Sequence, residues 1–190
     1  MQPLPAYRFI DYTELTASVT TSSTICVKRS LYSVPSRLIG ERVRVHLYHD
    51  RLVCFLAQTH VVTLPRVYPV TGAGRARRID YRHLIHSLAA KPQAFRFSQL
   101  RDDILPTPHY RQLWRLAERQ FAPQQACKWM VAVLRVACDH DCEGTLAATL
   151  LAQADRTELP DLNTRRNLSM KIGHKVSKFD VYSDWQRFSF

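Results

Sequence analysis

Five consecutive residues, Cys138-Asp139-His140-Asp141-Cys142, all carry side chains that can ligate a metal. A tetrahedral zinc site takes about four ligands, normally from two separated pairs, and no second CxxC or HxxxH pair occurs in the sequence. The run therefore reads as a helix end with a capping aspartate, and no metal site is expected. Carboxylates could instead hold two divalent ions about 4 Å apart for phosphoryl chemistry, provided three of them converge from a mixed sheet. Asp102, Asp103, Asp139, Asp141 and Glu143 fall on helices or helix ends, where caps and surface charge account for them. Nucleophilic catalysis has no better support. Ser33 and Ser36 flank Pro35, no G-x-S-x-G elbow occurs, and His83 and His86 share a helix with an apolar stripe. Gly72-Ala73-Gly74-Arg75 could cradle a phosphate, but it lacks the strand-before, helix-after setting and the Lys-Ser/Thr of a P-loop. It reads as a surface loop. No catalytic residue and no cofactor are expected.

The cations remain. The chain has 27 Lys plus Arg against 16 Asp plus Glu, a formal charge of +11, which points to a polyanionic partner, nucleic acid first. Lys28, Arg29, Arg37, Arg42, Arg44, Arg51 and Arg66 come from one β-rich stretch, and Arg75, Arg77 and Arg78 follow just after it. Acids are sparse between them. These ten residues are the expected DNA-binding set, gripping phosphates with little base preference, and they are expected to form one continuous electropositive surface.

The elements that must position them are legible from period. Val43, Val45 and Leu47 alternate with Arg42, Arg44 and His46, the mark of a strand with one dry and one wet face. After a Tyr48–Arg51 turn, Leu52-Val53-Cys54-Phe55-Leu56 is apolar on both faces, which suits a covered sheet. Val61–Leu64 is a third strand, stopped by Pro65, and Thr24–Arg29 an earlier one with Ile25 and Val27 inward. Pro35 holds Val34 extended, and Gly40 supplies a turn before Glu41. Short strands with tight joints predict a small barrel over residues 23–66, preceded by a connector over 1–22 and followed by a basic loop over 67–79.

The run Tyr32-Ser33-Val34-Pro35-Ser36-Arg37-Leu38-Ile39-Gly40, then Val43-x-Val45, then Leu64-Pro65-Arg66, resembles the small β-barrel that follows the catalytic domain in Mu-type transposases. The closer resemblance is to IstA-type transposases of insertion sequences, over about residues 3–163. That likeness implies a part in DNA transposition and integration, with DNA as partner. It also implies docking to an IstB-like AAA+ ATPase or to other transposase subunits as the alternative role. Relatives carry their acidic triad and divalent metal upstream, and Met1 stands almost at that junction. The expectation is therefore a non-catalytic chain.

From Asp80 the period becomes helical. Asp80 is an N-cap candidate before a stripe of Tyr81, Leu84, Ile85 and Leu88. A short helix is expected over Gln99–Leu105. Thr107-Pro108 is a capping hydroxyl followed by proline at the first helical position, and Tyr110, Leu113, Trp114, Ala117 and Phe121 line the helix that follows. Pro123 opens a helix through Cys138, apolar nearly all round and so the most buried. Glu143–Asp155 is the last. The predicted class is α+β: a barrel, then a helical bundle over 80–160. Residues 161–190 have no clear period and depart from the family pattern. Without an apolar run of about 18 residues or a signal peptide, and with five cysteines in no regular framework, the expected setting is the cytosol, away from membranes.

Overall fold

The computed structural model describes residues 11–69, 74–154 and 159–160, and the chain divides into two compact units, residues 1–87 and 88–190. The first is built on strands β1 (Thr13–Ser18), β2 (Thr24–Val27), β3 (Ser30–Ser33), β4 (Arg42–Leu47), β5 (Arg51–Leu56), β6 (Thr59–Pro65) and β7 (Arg77–Arg78). They form a four-stranded antiparallel sheet ordered β1-β4-β5-β6 and a three-stranded sheet ordered β2-β3-β7, in which β7 runs parallel to β3. Alternation decides which face is dry. Val43, Val45, Leu52 and Cys54 are fully buried and join Ile25, Val27, Tyr32 and Val34 in one core shared by both sheets. Because the thiol has left water, burial pushes Cys54 up to about 11.

The class is α+β as expected, but the strands make two sheets rather than a ring closed by ladders among the described residues. Residues 13–18, expected to be connector, pair along β4, Leu15 opposite Val45 and Ala17 opposite Val43, and so form one edge of the four-stranded sheet. The basic loop likewise contributes β7 to the second sheet.

Two joints depart from what their residues prefer. Val27 pairs with Ser30, leaving a two-residue turn in which Lys28 has φ 46° and Arg29 φ 67°. Two positive φ values define the type I′ hairpin turn, where Asn-Gly is the preferred pair, and a side chain there costs about 1 kcal/mol per residue. The expected strand Thr24–Arg29 thus stops two residues early. In the β5–β6 turn, Leu56 pairs with Thr59 and Ala57 sits at φ 53°. Ala57→Gly is expected to raise unfolding stability by about 0.5 kcal/mol, the relief of left-handed strain exceeding the added chain entropy; urea unfolding measures it. Gly40, at φ 88°, fits the turn expected of it. Pro65 ends β6 on the sheet's edge, where no ladder donor is missed.

Helix α1 (Tyr81–Ala90) opens as expected, the Asp80 carboxylate accepting from the Arg82 amide at 3.0 Å. In the second unit follow α2 (Gln93–Phe97), α3 (Arg101–Ile104), α4 (Pro108–Gln120), α5 (Pro123–His140) and α6 (Glu143–Ala154). Both α4 and α5 begin on proline, which fixes φ and lacks only a donor the first turn cannot use. Thr107 has the extended backbone of an N-cap, yet its hydroxyl caps nothing and is buried without a partner. Helix α5 buries Ala126, Trp129, Met130, Val133, Leu134 and Ala137, the central helix the sequence predicts. Trp114 meets Phe95 edge to face, centroids 4.9 Å apart. Gln120 clamps the Leu159 backbone from both sides, donating to its carbonyl at 2.9 Å and accepting from its amide at 2.7 Å, while the Trp129 indole donates to the Pro160 carbonyl at 2.9 Å. No helix among the described residues is long and apolar enough to cross a membrane.

Candidate nucleic-acid interface

Four segments of the first unit finish or begin at one end of it. Strand β4 ends and β5 begins at the Tyr48–Arg51 turn. Strand β6 returns there, Pro65 lying opposite Arg51. Beyond Pro65 the chain is pinned to the other sheet. The Tyr32 phenol accepts from the Val67 amide at 3.0 Å and reaches the Val67 carbonyl at 3.2 Å, and the Ser30 hydroxyl donates to that same carbonyl at 3.2 Å. Ser30 and Tyr32 are buried, so this tie is protected from water and fixes Arg66 and Tyr68 beside the base of the β2–β3 turn. The Leu31 amide donates to the Ala76 carbonyl at 2.8 Å, which sets Arg75 beside the same turn. Lys28, Arg29, Arg51, Arg66 and Arg75 are thereby gathered at one end.

The arginines there are held by aromatic rings and backbone rather than mainly by acids. The Arg51 guanidinium lies 4.5 Å from the Tyr48 ring centroid and Arg66 lies 4.6 Å from that of Tyr68. Such contacts fix the fork while leaving its charge unneutralised. Arg66 also donates to the Tyr48 carbonyl at 2.7 Å. Two acids stand at this end: Asp50, 3.0 Å from Arg51 and 3.7 Å from His49, and exposed Asp11, just before β1, whose first residue Thr13 pairs with Leu47. Among the described residues Lys28, Arg29 and Arg75 are exposed and outside any ion pair.

The other five cations are placed elsewhere. Arg42 and Arg44 stand on the outer face of the four-stranded sheet, cross-strand from Ser18 and Thr16, with Arg42 at the opposite end of β4 from the turn. Arg37 is exposed on the 3-10 turn Ser36–Leu38, beyond the far end of β3. Arg77 and Arg78 are exposed on β7, Arg77 in register with Leu31. The two sheets share a core, so their outer faces look away from each other. One strand alternation cannot put all ten residues on a single surface.

That outer face carries a feature the sequence reading missed. Strand β5 was expected to be covered on both sides, but Val53 and Phe55 project outward and are only half buried. Tyr12 stacks on His46 at 4.0 Å, His46 contacts Phe55 at 4.7 Å, and Phe55 meets the His60 ring edge-on at 5.9 Å. Arg44 lies 5.6 Å over Phe55, and Glu14 sits 3.2 Å from His46. The rings give the outward apolar residues partners without a covering layer. Tyr48 and Tyr68 were missed too; the interleaving of arginine and tyrosine in Arg66-Val67-Tyr68 was the available signal.

Ser33, His83 and Asp80 do meet, as structure and not as a catalytic triad. The Ser33 hydroxyl lies 2.9 Å from His83 Nδ1 and accepts from the Asp80 amide at 2.8 Å, but Ser33 is 0% exposed, sealed from any substrate. Burial depresses His83 below its ordinary 6.5, against smaller upward pulls from Asp80 and Ser33. A depressed folded value means that protons bind the unfolded chain first. The contribution to stability is intact above 6.5 and is lost as pH falls through 6.5 toward the folded value. Urea midpoints should therefore fall between neutral and mildly acid pH, and His83→Gln should flatten that fall; an equal slope in the variant would remove His83 as its source. At the 138–142 run, Asp141 takes the left-handed conformation, φ 49°, closing α5, and Asp139 pairs with Arg135 one turn back. No three His, Cys, Asp or Glu residues converge on a metal-sized site among the described residues.

Comparison with known proteins gives this geometry a lineage. Residues 4–79 match the family described as Mu transposase, C-terminal domain. A Sinorhizobium fredii protein, y4jA/y4nE/y4sE, is 39% identical over 166 residues, 87% of this chain and 33% of that protein. The transposase for insertion sequences IS1326/IS1353 from Pseudomonas aeruginosa is 27% identical over 152 residues, 76% of this chain and 28% of that protein, and its Shigella flexneri counterpart matches to the same extent. The chain thus spans about a third or less of the length of the curated relatives it matches. No solved structure matches it. Residues 4–79 thus resemble a Mu transposase C-terminal domain, and the chain is similar to a part of proteins named as transposases.

Proposed function

We propose that this chain is the non-catalytic, DNA-binding C-terminal part of an IstA-like transposase, holding the DNA backbone during transposition while strand chemistry is carried out elsewhere. The two-sheet unit serves as an open counterpart of the small barrel of such proteins. The observation that carries the reading is the tie of Val67 to Ser30 and Tyr32. It supports the reading by drawing toward one end the segments that carry Lys28, Arg29, Arg51, Arg66 and Arg75, with Asp11 and Asp50 as the acids there. Arg42 and Arg44 extend the contact along the adjoining face, with the Thr16 and Ser18 hydroxyls as neutral partners for phosphate.

Titration of a duplex of about 20 base pairs against the chain at several salt concentrations tests this. With about five phosphates neutralised, log affinity should fall against log salt with a slope of about −4.5. A slope near zero, or no binding at low salt, contradicts the reading. Docking of an IstB-like ATPase or another subunit through tryptophans of the helical unit is less well supported. Trp114 and Trp129 are 4% and 1% exposed and belong to the core.

A further inference from the structure

The β2–β3 turn combines two features that oppose stability. Its central residues both occupy left-handed backbone, φ 46° and 67°, at positions that suit Asn-Gly. It also carries Lys28 and Arg29 next to the segment of Arg75, across the Leu31–Ala76 hydrogen bond, three exposed cations with no acid paired to them among the described residues. The turn cannot relax, because its flanking pair is sealed. Val27 is 3% and Ser30 2% exposed, and Ser30 is tied to Val67. Strain of this kind persists only where the surroundings over-determine it, and it concentrates at functional positions. A polyanion relieves the second cost directly and gives a reason for the first.

We propose that the Lys28–Arg29 turn, with Arg75 beside it, is a rigid finger that supplies the dominant phosphate contact of this unit, its cations held together at a cost in stability. This rests on the DNA-binding reading above and adds to it a ranking among the cations and a trade between folding and binding.

The test is Lys28→Asn/Arg29→Gly, which installs the pair the turn geometry prefers. Thermal unfolding should shift upward. Affinity for the duplex at about 100 mM salt should drop tenfold or more, and the salt slope should become shallower by about 1.8, two phosphate contacts at about 0.9 each. Arg115→Gln/Arg119→Gln, on the exposed side of α4, removes the same net charge and should leave affinity within about threefold. If the parent chain does not bind the duplex, the DNA-binding reading fails. If the parent binds and the turn variant binds equally well, or if the α4 variant loses as much, the finger is overturned and the DNA-binding reading stands. A turn variant that is less stable than the parent also overturns the proposal, since the strain it invokes would not exist.

Discussion

Changing Arg51, Arg66 and Arg75 together to glutamine is expected to weaken duplex binding about a hundredfold at roughly 100 mM salt. Each phosphate contact releases close to one condensed counterion, worth somewhat less than a factor of ten at that concentration. Three contacts would give nearly a thousandfold, and Asp50 already offsets part of Arg51 at 3.0 Å, so two effective contacts is the sounder figure. The tie that places these residues lies in Tyr32, Ser30 and Val67 and does not involve the three side chains replaced. The unfolding midpoint of the first unit should move only modestly: the exposed charges of Arg51 and Arg75 contribute about 0–1 kcal/mol each, and half-buried Arg66 gives up a hydrogen bond to the Tyr48 carbonyl worth about 1 kcal/mol. Loss of affinity together with loss of folding would instead assign the arginines a structural role.

The largest expected effect on stability is in the second unit. Leu134→Ala in α5 should cost about 3 kcal/mol, the lost transfer energy of the side chain plus the cavity left in a helix that cannot collapse around it. Leu134 is 0% exposed, and its helix is buried on most sides, with Met130, Val133 and Ala137 also sealed. Urea unfolding followed by far-ultraviolet circular dichroism reads the change. A cost under about 1 kcal/mol would mean that the site repacks and α5 is not the centre of its unit.

Strand alternation made much of the first unit legible. Val43, Val45 and Leu47 are buried at 0%, 0% and 6%, and Arg42, Arg44 and His46 face outward as their period requires. The helices that begin on Pro108 and Pro123 were equally clear, since proline at the first position leaves few alternatives. What period cannot report is pairing between distant segments. Nothing local in Thr13–Ser18 says that it lies along β4, and nothing in Val67 says that a phenol 35 residues away holds it. The same limit applies to the site. Charge and sequence proximity selected ten cations, but neither reports the long-range tie of Val67 to Ser30 and Tyr32 on which the proposed choice of five rests. Helix α2, directly after Lys91-Pro92, was missed because proline reads as a stop; here Pro92 sits at φ −58°, the value that also starts a helix.

Position, rather than affinity, is the sharpest test. Photo-crosslinking a duplex that carries reactive groups on its phosphates, followed by peptide mapping of the captured chain, locates the contacts directly. The account predicts capture at residues 28–29, 51, 66–68 and 75, with weaker capture along 42–44. Capture centred on the helices between residues 108 and 154, or spread evenly over exposed cations of both units, would contradict it.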